Sequence, residues 1–209
     1  ILFDGPIYED IGGETVKFDP AEAINRDLVI TDTTFRDGQQ ARPPYTIEQQ
    51  VHLYDLLARL GGPNGIIRQT EFFLYSQNDR DALDKCRDLG HRFPEITSWI
   101  RADKGDFRLV REMGLKETGI LTSSSDYHIF LKLKKDRQKA FDDYLDVVEA
   151  AWEAEVRPRC HLEDVTRADI DGFVVPYVTE LMKRSEQVPE HLTAKIRLCD
   201  TMGFGITYP

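Results

Sequence analysis

Cysteine is scarce in this chain: Cys86, Cys160 and Cys199 are its three among 209 residues. An odd count without CxxC spacing excludes a disulfide framework and a thiolate zinc site, and points to a reducing compartment. No apolar run approaches the roughly 18 residues of a membrane span, and the opening ILFDGPIYED has no basic stretch leading into an apolar core. The expectation is a cytoplasmic protein that meets no membrane. Positive charge is also short, 27 Lys and Arg against 37 Asp and Glu, for a net charge of −10. That is the opposite of a nucleic-acid binder's footprint, although a pocket's local field still depends on a few convergent groups. Glycine-rich phosphate loops are missing too. Neither GxGxxG nor GxxxxGK[ST] follows an apolar run, and the Gly-x-Gly of Gly203 and Gly205 lacks a third glycine.

What is present is a globular composition, 41% hydrophobic and 31% charged, with 14 Gly and 10 Pro spread along the chain. Short β-branched runs at 28–31, 65–70, 96–100, 117–121, 156–160 and 194–199 alternate with longer amphipathic stretches, the signature of βα units on a parallel sheet. Thr46 and Gln49 have capping-box spacing ahead of a helical face, and Gly61-Gly62-Pro63 stops it. Residues 137–154 also read as helix, their Phe141, Tyr144, Leu145, Val148 and Trp152 forming a stripe best explained as core. Such units fit a (β/α)8 barrel or a doubly wound sheet, and the missing dinucleotide fingerprint counts against the second. A barrel needs eight strands and typically about 250 residues. The expectation is therefore a partial barrel over 27–209 lacking strands seven and eight, preceded by an irregular extension, 1–26, packed on the domain.

Catalytic groups of such barrels project from the carboxyl ends of the strands. Here those ends are polar throughout: Asp32 to Gln40, Glu71, Arg101 and Asp103, Ser123 to His128, then Arg159, His161, Glu163 and Asp164, and finally Asp200-Thr201. Two readings are open. These are solvated rim residues and helix caps, or a site in which carboxylates hold a divalent cation and guanidinium groups grip carboxylates or a developing enolate.

The segment Asp32-Thr33-Thr34-Phe35-Arg36-Asp37-Gly38-Gln39-Gln40 closely resembles the D-x-T-L/F-R-D-G-x-Q signature of the DRE-TIM metallolyases. These are barrel enzymes that include isopropylmalate and homocitrate synthases, Re-citrate synthases and HMG-CoA lyase. Glu71, the Ser123 to His128 segment with Leu131-Lys132-Leu133-Lys134, Glu163 to Arg167 and Asp200-Thr201-Met202-Gly203 follow in family order. The resemblance implies that Asp37 ligates a divalent metal (Mg2+, Mn2+ or Zn2+) and that Arg36 polarises the substrate carbonyl. It implies that Glu71 orients Arg36, that Gln40 lines the site, that Arg159 and Thr201 bind a 2-oxo acid carboxylate, and that Glu163 is the strand-five acid. His161 stands where synthases of this family carry a small hydroxyl residue, and a bulkier, cationic side chain there would suit a short, strongly anionic acid. His128 lies in a loop near the same rim. The family's His-x-His metal pair does not occur, since His52, His91, His128, His161 and His191 are never two apart. The implied activity is condensation of acetyl-CoA with a 2-oxo acid and hydrolysis of the thioester, in a homodimer. Carbon–carbon cleavage of a hydroxyacyl-CoA, as in HMG-CoA lyase, and a non-catalytic binding homologue stay open beside it.

Overall fold

The computed structural model describes residues 7–11, 14–18 and 28–205. The first two segments are strands β1 (Ile7–Ile11) and β2 (Glu14–Phe18), paired antiparallel with Ile11 opposite Glu14. The extension expected to be irregular thus carries a ladder. In the sequence, Gly12-Gly13 between these two runs is a hairpin signal. How the extension packs on the domain lies outside the described residues.

From Ile30 onward, strands and helices alternate: β3 (Ile30–Asp32), α1 (Ile47–Gly61), β4 (Ile67–Phe72), α2 (Gln77–Asp88), β5 (Glu95–Ile100), α3 (Phe107–Glu112), β6 (Glu117–Ser123), α4 (Arg137–Glu153), β7 (Arg157–Glu163), α5 (Val175–Ser185) and β8 (Lys195–Leu198). The six strands β3 to β8 are all parallel and lie side by side in chain order. A doubly wound sheet reverses its strand order at a switch point, and this one never does. The sheet also curls, because Arg197 on β8 reaches across the interior to donate to Thr31 Oγ1 on β3 at 2.5 Å. Six strands of a (β/α)8 barrel are the architecture. No helix among the described residues is long and apolar enough to cross a membrane.

Local signals act where the sequence places them. Thr46 Oγ1 accepts from the Gln49 N–H at 3.2 Å and Gln49 Oε1 accepts from the Thr46 N–H at 3.0 Å, closing the capping box of α1. Gly62 ends that helix at φ 64°, a left-handed conformation that glycine adopts without a Cβ penalty. Three strands run further than their apolar cores, to Phe72, Ser123 and Glu163. Glu71 and Glu163 therefore sit in strands, whereas 131–134 fall outside β6, with Tyr127–Lys132 forming a π-helix beyond it.

The two faces of the sheet divide the chemistry. Outward residues such as Phe72, Ile100, Ile120, Cys160 and Leu162 pack against helices in two buried apolar clusters, and Tyr144, Leu145 and Val148 of the α4 stripe belong to the second. The inward residues Gln69, Glu71, Thr97, Glu117, Arg159 and His161 are buried and polar. A barrel lumen usually holds bulky branched residues, so this one has exchanged them for charge. Phe35 links the faces: it is fully buried, stacks on Phe72 at 4.4 Å, and lies between Thr34 and Arg36. Phe35→Ala is expected to cost about 3–5 kcal/mol by the cavity it leaves, measured by urea denaturation, and to release the loop that carries Arg36.

Candidate active site

The first wall of the site is the turn after β3. Asp32 fixes it, its carboxylate accepting from Thr34 Oγ1 at 2.7 Å, from Thr34 N–H at 3.1 Å and from Thr70 Oγ1 on β4 at 2.7 Å. Gln39 braces the far side by donating to the Phe35 carbonyl at 2.9 Å and accepting from Tyr45 N–H at 2.8 Å. Arg36 is thereby held over the lumen. Its guanidinium lies 5.2 Å from the Trp99 ring, 2.9 Å from Asp37 and, through Nε, 2.7 Å from Glu71. The last N–H does not point along that line, so the contact is an ion pair without a hydrogen bond.

Below Arg36 lies the ionic centre of the lumen. Arg159, 1% exposed, donates through Nη2 to Glu71 at 2.5 Å and to Thr97 at 3.2 Å, and through Nη1 to Gln69 at 3.0 Å and to Glu117. Glu117 also takes Lys195 at 2.6 Å. Burial alone would raise the Glu71 carboxyl, but the hydrogen bond to His161 and the charges of Arg159 and Arg36 outweigh it and bring it down to about 2. Burial raises the Glu117 carboxyl as well, but the contacts with Arg159 and Lys195 outweigh it and hold the group below its ordinary range. Burial holds the pKa of His161 below its ordinary value, against the pull of Glu71. Its Nε2 stands 3.3 Å from Arg159 Nε and 3.5 Å from Glu71. Burial and the neighbouring Arg159 thus work against a cationic His161, and Glu71 works for one.

Space for this network comes from Gly119, whose register partners are Trp99 on β5 and Arg159 on β7. A Cβ there would stand 2.7 Å from Trp99 Cδ1 and 2.8 Å from His161 Nε2.

A second cluster closes the rim. Glu163, at the end of β7, accepts from Ser123, lies 3.0 Å from His128 Nδ1 and pairs with Lys132 at 3.0 Å. His128 and Lys132 reach it together because they stand four apart on the π-helix. Burial is overcome by the Ser123 hydrogen bond and the Lys132 contact, so the Glu163 carboxyl is held below its ordinary range, ionised at neutral pH.

The structure brings together Arg36, Glu71, Arg159 and His161, and separately Glu163 with His128. Thr201 is exposed, and its Oγ1 accepts from the Asp164 N–H at 2.8 Å, tying the end of β8 to that of β7. Gln40 is exposed and donates to Asp37 at 3.2 Å. Asp37 is about half exposed, and no group of three or more His, Cys, Asp or Glu side chains fit to hold a metal occurs among the described residues. A Zn2+ site takes three or four protein ligands, whereas Mg2+ is usually held by one or two carboxylates with waters. Asp37 falls short of the first and supplies part of the second, so the described residues do not form a metal site by themselves.

The HMGL-like family model matches residues 27–207. This chain belongs to the HMGL-like family. It is 60% identical over 200 residues to the citrate (Re)-synthase of Syntrophus aciditrophicus, covering 96% of this chain and 31% of that protein. It is 57% identical over 181 residues to the citrate (Re)-synthase of Clostridium kluyveri, covering 87% and 40%. The chain therefore spans well under half the length of these curated relatives. The solved hydroxymethylglutaryl-CoA lyase of Pseudomonas aeruginosa superposes with a TM-score of 0.63 at 21% identity, over 85% of this chain and 59% of that one, and shows the barrel fold. The DRE-TIM resemblance drawn from residues 32–40 stands with these findings.

Within this HMGL-like site, sequence reasoning missed Gln69, Trp99, Glu117, Gly119 and Arg197. The signal was present on β7 and β8, where charge or imidazole recurs at every second position: Arg157, Arg159, His161 and Glu163, then Lys195 and Arg197.

Glu71→Gln is expected to destabilise the protein by about 3–5 kcal/mol at pH 7, because Arg159 and Arg36 lose a buried partner. A depressed carboxyl contributes stability above its ordinary pKa of 4.5 and loses it as pH falls through about 2. The gap between wild type and Glu71→Gln, followed by denaturant titration, should hold above pH 4.5 and shrink towards pH 2. Gly119→Ala forces Trp99 and His161 apart and is expected to cost about 1–3 kcal/mol, read as a lower denaturant midpoint at unchanged slope.

Proposed function

We propose that this chain contributes strands one to six of an active site that condenses acetyl-CoA with a 2-oxo acid and hydrolyses the resulting thioester, forming citrate from oxaloacetate. The observation that carries this reading is the 60% identity to a citrate (Re)-synthase over nearly the whole chain, which spans the residues of both site clusters. Removing an acetyl unit from citrate leaves oxaloacetate, so that product fixes the acceptor.

The side chains support the chemistry. Arg36, its guanidinium face turned to Trp99 and its charge set by Glu71 and Asp37, is the preorganised cation for the oxygen of the acceptor ketone, where negative charge develops as the carbon–carbon bond forms. Glu163, ionised and 3.0 Å from His128, supplies with that imidazole a carboxylate–histidine pair to take the proton from the acetyl methyl group. Arg159 sets the position and charge of Glu71 and acts on Arg36 through it. A divalent cation, Mg2+, Mn2+ or Zn2+, would polarise the acceptor carbonyl as a Lewis acid. Among the described residues Asp37 is the one ligand carried towards it. A homodimer in the cytoplasm completes the reading.

The test is release of CoA thiol from acetyl-CoA by the full-length protein, with oxaloacetate, 2-oxoglutarate and 2-oxoisovalerate as acceptors. Oxaloacetate is expected to give the highest kcat/KM. Arg36→Ala is expected to lower it by about 100- to 1,000-fold, as loss of a donor to a developing oxyanion does, and Glu163→Gln to lower kcat more than KM changes. Cleavage of HMG-CoA without any condensation would replace this reading with the lyase.

A further inference from the structure

The cations around the lumen are unevenly paired with its acids, and the one least engaged sits on β8. Arg36 faces Glu71 and Asp37, Arg159 faces Glu71 and Glu117, and Lys195 faces Glu117. Arg197 forms no ion pair among the described residues: its contact is the 2.5 Å hydrogen bond from Nη2 to Thr31 Oγ1. It is half-buried, on the inward face of β8 directly opposite His161. None of its remaining N–H groups is both fully buried and unpartnered, so they keep some exposed surface. Glu71 lies within electrostatic reach of both Arg197 and Cys199, two residues on.

We propose that Arg197 is the specificity-determining residue of the site, gripping the side-chain carboxylate of a short 2-oxo dicarboxylate. The proposal rests on the condensation reading and deepens it. A partly desolvated guanidinium without an acid is costly, and a carboxylate presented to its open edge satisfies it in bidentate geometry. Arg159 cannot serve this purpose, because both of its Nη groups are held by glutamates in the closed interior. His161 is the register partner of Arg197 on β7, which puts its imidazole beside the same point of the lumen. An apolar substituent at this point would leave Arg197 unpaired, so the site rejects branched or alkyl 2-oxo acids by the penalty it imposes on its own cation. Burial and the nearby Arg159 lower the pKa of Arg197, the strain that a bound anion relieves.

The experiment measures binding without turnover. Oxaloacetate and its monocarboxylate counterpart of equal chain length, 2-oxobutyrate, are titrated calorimetrically into the full-length protein in the absence of acetyl-CoA. Wild type is expected to favour oxaloacetate by about 100-fold or more, R197M to bring the preference below about fivefold, and R197K to restore part of it. R197Q is the second neutral variant should R197M not fold, and thermal melts establish folding in each. An undiminished preference in R197M or R197Q, or no preference in wild type, overturns the assignment. Thiol release by wild type is read separately. A protein that shows the Arg197-dependent preference but releases no CoA retains this inference and loses the condensation reading.

Discussion

Glu71 carries one negative charge and faces three groups that compete for it. Arg36 reaches it from the rim at 2.7 Å, Arg159 from the opposite wall at 2.5 Å, and the His161 imidazole stands 3.5 Å away. A carboxylate with no exposed surface is tolerable in a protein interior only when so surrounded. The dependence runs in both directions. Without Glu71 the two arginines repel each other across the lumen, and without Arg159 the acid loses one of the three partners that keep it ionised. The rim position of Arg36 is therefore set from below, by a pair of residues that never meet solvent.

This arrangement explains how work is divided along the strands. The apolar clusters lie outside the sheet, between strands and helices, and supply the burial that holds the domain together. The interior contributes little of that burial and instead fixes charges in place, with Gln69 and Thr97 completing the hydrogen bonds that the ions leave open. A buried ionic lumen is a poor source of net stability compared with packed hydrocarbon. Its advantage is preorganisation: the groups that meet a substrate need no reorientation when charge develops.

Much of this was legible in the residues, and the limits of legibility have physical causes. The succession of strands and helices and the helix caps followed from period and punctuation, because Thr46, Gly62 and the β-branched runs act locally. The nine residues from Asp32 to Gln40 announced the site, since Asp32 and Gln39 stabilise a turn that needs their side-chain chemistry at that spacing. Glu71 and Glu163 were placed beyond their strands because charge was read as a strand end. In a curled sheet with a polar lumen, charge at alternate positions continues the strand. The pairing of Arg159 with Glu117 and Glu71 joins residues 42 and 88 apart in sequence, and no local pattern encodes such partners. Gly119 was silent for a similar reason, its value lying in what Trp99 and His161 occupy on neighbouring strands.

The distribution of partners separates residues that support the site from residues that answer to a ligand. Arg159 is saturated, with two glutamates, Gln69, Thr97 and His161 around it, and an incoming anion would have to displace a carboxylate that is already in place. Arg36 is partly engaged: its face is covered by Trp99 while its ion pair to Glu71 lacks hydrogen-bond alignment, which leaves directional donor capacity for an oxygen that arrives. Arg197 is engaged least, by one hydroxyl. Ordered from the closed interior to the open edge, the three guanidinium groups grade from scaffold to receptor. That gradient follows from the placement of the acids: Glu71 and Glu117 stand on β4 and β6, within reach of the middle of β7, and Arg197 on β8 makes an ion pair with neither.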